Sequence, residues 1–227
     1  MLLIIIFFAL AGFIVQRRLK SKFKTYSLER LNNGLSGAEI AAQMLADHGI
    51  TDVQIQSVPG KLTDHYNPMN KTVNLSPEVY GGRSVSAAAV AAHEVGHAVQ
   101  HATGYKWLEM RSQLVPLANL SSSIMNVVIM AMFIGMGVLH LLNFDQIIWV
   151  LIITQSVLTA VTLVTLPVEY DASNRALAWM TNRGMVTNSE HDKAKDALSW
   201  AARTYLVAAL AAMAQLAYYV AMLNSRD

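Results

Sequence analysis

Four long apolar runs divide the chain, at residues 2–15, 124–142, 147–166 and 204–223. The first holds no charged or polar side chain. The second is interrupted by Asn126 and His140, and the third carries no charge. The fourth is rich in alanine and contains Gln215 and the pair Tyr218 and Tyr219. About twenty mainly apolar residues cross a bilayer as a helix. The pattern therefore predicts a mainly α integral membrane protein with about four transmembrane helices. For the fourth run, a helix packed inside the protein is the alternative. Nothing basic precedes the first run, and Arg17, Arg18, Lys20, Lys22 and Lys24 follow it, which predicts an uncleaved anchor rather than a signal peptide.

The polar stretch between the first two runs changes period several times. Residues 17–35 read as a solvated basic link beside headgroups. Ser36 with Glu39 forms a capping box that opens a helix over 38–45, and His48-Gly49 closes it. Residues 53–58 alternate apolar and polar as a half-buried strand does, and 71–76 alternate again. Pro59-Gly60 and Asn67-Pro68 mark turns between them. The Ala- and Val-rich segment from Ser84 to His101 predicts a helix. A small α+β region with two or three strands follows from this pattern.

Charge then orients the chain. Only 14% of residues are charged and 54% are hydrophobic, with a positive mean hydropathy, which argues against a purely soluble protein. Of the 17 basic residues, 11 lie between the first and second runs and 5 between the third and fourth. A four-span path puts both groups on one side, and the positive-inside tendency makes that side the cytoplasm. The short link at 143–146 makes runs two and three a hairpin that returns the chain to the face it left. The expected layout is an anchor at 1–16, a cytoplasmic region at 17–119, a transmembrane hairpin at 120–166, a cytoplasmic helical segment at 167–203, and a last transmembrane helix and tail at 204–227. The net charge of +2 gives no footprint for nucleic acid. With no cysteine, disulfide scaffolds, iron–sulfur clusters and thiol catalysis are excluded, and a transition metal must be held by histidine and carboxylate.

Such a set is present. His93-Glu94-Val95-Gly96-His97 is an HExxH motif inside the 84–101 helix. Two histidines four apart share a helix face and can reach one ion, while Glu94 is turned aside and can act as a base on a water polarised there. Three fixed residues can coincide by chance. The helical context, the small residues Ala91, Ala92 and Gly96, and a preceding strand able to pair with a peptide argue against coincidence. A catalytic zinc needs a third protein ligand. His101 lies one more turn along the same face, though without a glycine to bend the chain back. Glu169 lies just beyond Pro167, where the hairpin re-emerges before a helix start at Tyr170. Candidate oxyanion donors are His65, Tyr66, Asn174, Arg175 and His191. His140 reads as interfacial, and the 12 methionines as apolar filler. A structural or sensing zinc site, closed by His101 as fourth ligand, is the non-catalytic rival.

Three segments carry a resemblance: Leu62-Thr63-Asp64-His65-Tyr66-Asn67-Pro68, then Ala91-Ala92-His93-Glu94-Val95-Gly96-His97-Ala98-Val99-Gln100-His101, then Leu166-Pro167-Val168-Glu169-Tyr170-Asp171-Ala172-Ser173. Together they resemble the YugP-type membrane zinc metallopeptidases, over most of the chain from about Tyr26 to beyond Arg203. More distantly the chain is similar to the HtpX and CAAX-protease class of membrane gluzincins. The resemblance implies a zincin-like metalloprotease region on the cytoplasmic side of the cell membrane. It also implies one zinc ion on His93, His97 and Glu169, Glu94 as catalytic base, and a peptide or membrane-protein substrate. The wider class often has an acid four residues after the ligand glutamate that orients a histidine. Here that place is Ser173, and Asp171 lies on roughly the opposite helix face. His101, His65, Tyr66, Asp171, Ser173 and Asn174 are thus the candidates for outer support of the ligands or for the oxyanion.

Overall fold

The computed structural model describes residues 1–134 and 144–225. His140, the first residue of the expected 143–146 link, and Arg226 lie outside the described residues. The rest is mostly helical: α1 (Leu2–Ser27), α2 (Gly37–Asp47), α3 (Pro77–Tyr80), α4 (Val85–Ala102), α5 (Lys106–Ile134), α6 (Phe144–Asn182) and α7 (Asn188–Asn224). Three short strands, β1 (Gln54–Ser57), β2 (His65–Asn67) and β3 (Thr72–Leu75), form one sheet. Four helices, α1, α5, α6 and α7, are long and apolar enough to cross a membrane.

Each of these four extends beyond at least one end of the apolar stretch that announced it. α1 does not stop at the basic residues but carries them as helix to Ser27, so the first part of the expected basic link is helical and mostly exposed. Lysine and arginine are good helix formers. Tyr26 also anchors the far end, its hydroxyl donating to Asp196 Oδ2 at 2.6 Å. α6 is one helix of 39 residues with Pro167 in its interior, so no new helix begins at Tyr170. A mid-helix proline costs about 3 kcal/mol. Burial of Val168, Ala172, Ala176 and Met180 beyond it offsets that cost. Residues 144–146, expected in the hairpin link, are the first turn of α6. α7 likewise joins the expected cytoplasmic segment and the fourth run in one helix, opened by a second capping box. Thr187 N–H donates to Glu190 Oε2 at 2.7 Å, and Glu190 N–H donates to Thr187 Oγ1 at 3.3 Å.

The chain forms two compact units. One comprises Met1–Phe13, the described residues of Glu109–Leu166, and those from Tyr205 onward; a cluster of Met125, Ile147, Leu151 and Tyr219 lies within it. The other comprises Ile14–Leu108 and Pro167–Thr204. Its core is built on α4, whose small residues bury against α2, the sheet and the distal part of α6, with Ile40, Met44, Val73, Leu75, Ala91, Val95 and Met180 buried. The Ser36–Glu39 capping box is present, with Ser36 N–H donating to Glu39 Oε2 at 2.7 Å.

The sheet order is β1-β3-β2, with β1 parallel and β2 antiparallel to β3. Ile55 and Tyr66 both register with Val73. The 71–76 run therefore makes the central strand and has no free edge to offer a peptide; β1 and β2 are the edges. All four residues of β3 are buried, against the expected alternation. The polar pair is satisfied locally, as Asn74 Nδ2 donates to Thr72 Oγ1 at 2.9 Å.

Candidate metal centre

α4 presents His93 and His97 one above the other, their rings 4.8 Å apart and nearly perpendicular. A Cβ on Gly96 would lie 2.6 Å from the Ala172 carbonyl oxygen, so the missing side chain lets α6 lie directly on α4. One turn before Ala172, Glu169 points into the gap. Its Oε2 is 3.4 Å from His93 Nε2 and 3.7 Å from His97 Nε2. One ligand atom from each of the three residues falls within 4.8 Å of the others. Glu169 is 3% exposed, which leaves its charge little solvent to answer it. Two imidazoles and a carboxylate are the His₂Glu donor set of catalytic zinc sites, with room for a fourth position. The residues present fit a zinc ion.

Each ring is held from behind. His93 Nδ1 lies 3.1 Å from Ser173 Oγ, and His97 Nδ1 lies 3.0 Å from Gln100 Oε1. Gln100 Nε2 in turn donates to the Val168 carbonyl and to Asp171 Oδ2, both at 2.8 Å. Asp171 is therefore not turned away from the site; it reaches His97 through Gln100. It also receives Arg175 Nε–H at 2.5 Å, and Arg175 lies over the Tyr105 ring. Burial disfavours the charged form of His97, but hydrogen bonding and charge from Glu169, with Glu94 behind them, outweigh it and hold its pKa above the ordinary imidazole value.

Glu94 is buried and stands apart from the three donors. Its Oε2 accepts the backbone N–H of Tyr66 at 3.0 Å, which ties the edge strand β2 to the HExxH helix. The Tyr66 hydroxyl lies 2.7 Å from His101 Nδ1. Burial and the charge of Asp52 push the Tyr66 phenol above its usual pKa, so it stays protonated. His101 is exposed and engaged with Tyr66, outside the donor cluster. His65 donates from Nδ1 to the Thr63 carbonyl at 2.7 Å and sits 3.3 Å from Asn74 Nδ2. Asn174 is exposed, and His191 lies beside Asp192 at the start of α7. The residue that sequence reading missed is Gln100. Its spacing of three from His97 puts it on the same helix face, which was the only available signal.

The chain matches, over residues 1–224, the family model described as "Putative neutral zinc metallopeptidase". It is 40% identical over 217 residues to a Bacillus subtilis (strain 168) protein named "Putative membrane protease YugP", covering 95% of this chain and 93% of the relative. No solved structure matches it.

Proposed function

The chain belongs to the neutral zinc metallopeptidase family that it matches over residues 1–224, and from that premise we propose that it is a membrane-embedded endopeptidase of gluzincin type. In this reading His93, His97 and Glu169 hold one zinc ion per chain, and Glu94 is the general base. The supporting observation is the convergence of three donor atoms within 4.8 Å from two distant segments, with Glu94 beside but outside them. Zinc, when bound, supplies a Lewis acid that polarises the scissile carbonyl and acidifies water. Glu94 takes the proton from the attacking water and delivers it to the leaving amine. The Tyr66 N–H occupies Oε2 of Glu94 and thereby fixes one end of the carboxylate. Tyr66 is also the one oxyanion candidate bonded to Glu94 among the described residues. The substrate is a peptide or a membrane protein. By the distribution of basic residues, the site faces the cytoplasm of a multi-pass protein in the cell membrane.

Glu94→Gln is the test, because it keeps size and hydrogen bonding while removing the basic oxygen. Zinc content and fold should persist, and hydrolysis per bound zinc should fall about 10²–10⁴-fold. The assay is peptidase activity and metal content on the same nanodisc preparation. Full activity per zinc in Glu94→Gln overturns the base assignment. Wild-type protein that holds zinc and cleaves nothing across a broad panel favours a structural or sensing site instead.

A further inference from the structure

Gln100 is fully buried on α4, one turn beyond His97. The two ends of its amide differ chemically, and its partners decide which end faces which way. Nε2 lies 2.8 Å from the Val168 carbonyl oxygen and 2.8 Å from Asp171 Oδ2. The carbonyl can only accept. Asp171 Oδ2 is equally an acceptor, and it also receives the Arg175 Nε–H. Turning the amide over would set its oxygen against both and leave two buried repulsions. The nitrogen therefore stays on that side, and Oε1 faces His97 Nδ1 at 3.0 Å. An amide oxygen cannot donate, so His97 Nδ1 carries a proton, and in the neutral ring that a metal ion requires this leaves Nε2 with its lone pair. That Nε2 is the atom facing Glu169. His93 has no such constraint, since the Ser173 hydroxyl beside its Nδ1 can donate or accept.

We propose that Gln100 is a positioning residue for the metal centre: clamped by Val168 and Asp171, it holds His97 in the Nδ1–H tautomer and presents Nε2 to the ion. The proposal rests on the reading of His93, His97 and Glu169 as the zinc site. It adds a polar chain, Arg175 to Asp171 to Gln100 to His97, that sets the orientation of one ligand from outside the site.

The experiment measures zinc affinity of the full-length protein in nanodiscs by chelator competition, with nitrogen NMR of histidine-labelled, zinc-loaded wild type beside it. Gln100→Leu should weaken zinc about 10–100-fold, as loss of an outer partner does. Gln100→Glu sets a carboxylate against Asp171 and should weaken it as well. Adding Asp171→Asn to Gln100→Glu supplies an amide donor to that carboxylate and should recover part of the lost affinity, since only the Val168 carbonyl still opposes it. A side chain that only filled space would gain nothing from the second change. The NMR spectrum should show His97 protonated at Nδ1 and not at Nε2, and it needs no variant to fold. The proposal is overturned by protonation at Nε2, by wild-type affinity in folded Gln100→Leu, or by a double variant no better than Gln100→Glu. Zinc binding with His97 so oriented but no peptide hydrolysis would sink the peptidase reading and leave the role of Gln100 standing. Intact hydrolysis with unchanged affinity in Gln100→Leu would do the reverse.

Discussion

At the scale of single residues, the centre depends as much on an absent side chain as on those present. A Cβ at Gly96 would meet the Ala172 carbonyl at 2.6 Å, and backbone cannot yield as a flexible side chain does. Gly96→Ala must therefore push α6 off α4 one turn from Glu169. Overpacking of this kind costs about 1–3 kcal/mol, so both the unfolding temperature and zinc retention should drop. Thermal melts and metal analysis of one sample check this, and a variant unchanged in both would show the contact to be slack. The two candidates for third ligand separate at the same scale. Glu169→Ala should empty the site, whereas His101→Ala should leave most of the zinc bound, because His101 faces Tyr66 rather than the donors. Metal content after extensive dialysis decides between them, and the opposite pattern would remove Glu169 from the site.

At the scale of elements, α2 is fastened to α6 by one carboxylate. Asp47 accepts Trp179 Nε1–H at 2.8 Å and both Arg183 Nε–H and Nη2–H, at 2.6 and 2.5 Å. The Arg183 hydrogen bond, then that of Trp179, holds the Asp47 carboxyl below the usual aspartate pKa. A depressed folded pKa gives stability that is present above the unfolded value, about 3.9, and lost as pH falls through the folded one. The unfolding temperature should therefore decline below about pH 4, and Asp47→Asn should flatten part of that decline. An identical acid profile in the variant would show that the clasp adds nothing measurable, as exposed ion pairs often do. Elements were legible in the sequence where the signal was local. The capping box at Ser36 and Glu39, the strand at 54–57 and the HExxH helix stand where their patterns put them. The continuity of α6 through Pro167 was not legible, because proline is a local stop signal and the burial that overrides it comes from distant residues. The role of Gln100 was hidden for the same reason: its amide means nothing until Val168 and Asp171, about seventy residues on, are brought beside it.

At the scale of the whole molecule, 16 of the 17 basic residues fall in two loops that a four-span path puts on one side. Reporter fusions after Lys106 and after Lys193 should both report the cytoplasm, and a fusion within residues 143–146 the opposite side. Opposite results for the first two would break the proposed path and with it a site shared by His93 and Glu169. That site is split in the chain, with the two histidines before the candidate hairpin and the carboxylate after it. Synthesis proceeds from the N-terminus at about 5–20 residues per second, so roughly 4–14 s separate the making of His97 from that of Glu169. Throughout that interval the ribosome carries a HExxH helix with an incomplete donor set. On the proposed ligand set, a nascent chain, or one cut short by a stop codon in the hairpin, would own the signature motif without its third ligand. With the proposed ligand set, hydrolysis would begin only after the chain has returned through the hairpin and brought Glu169 to the histidines.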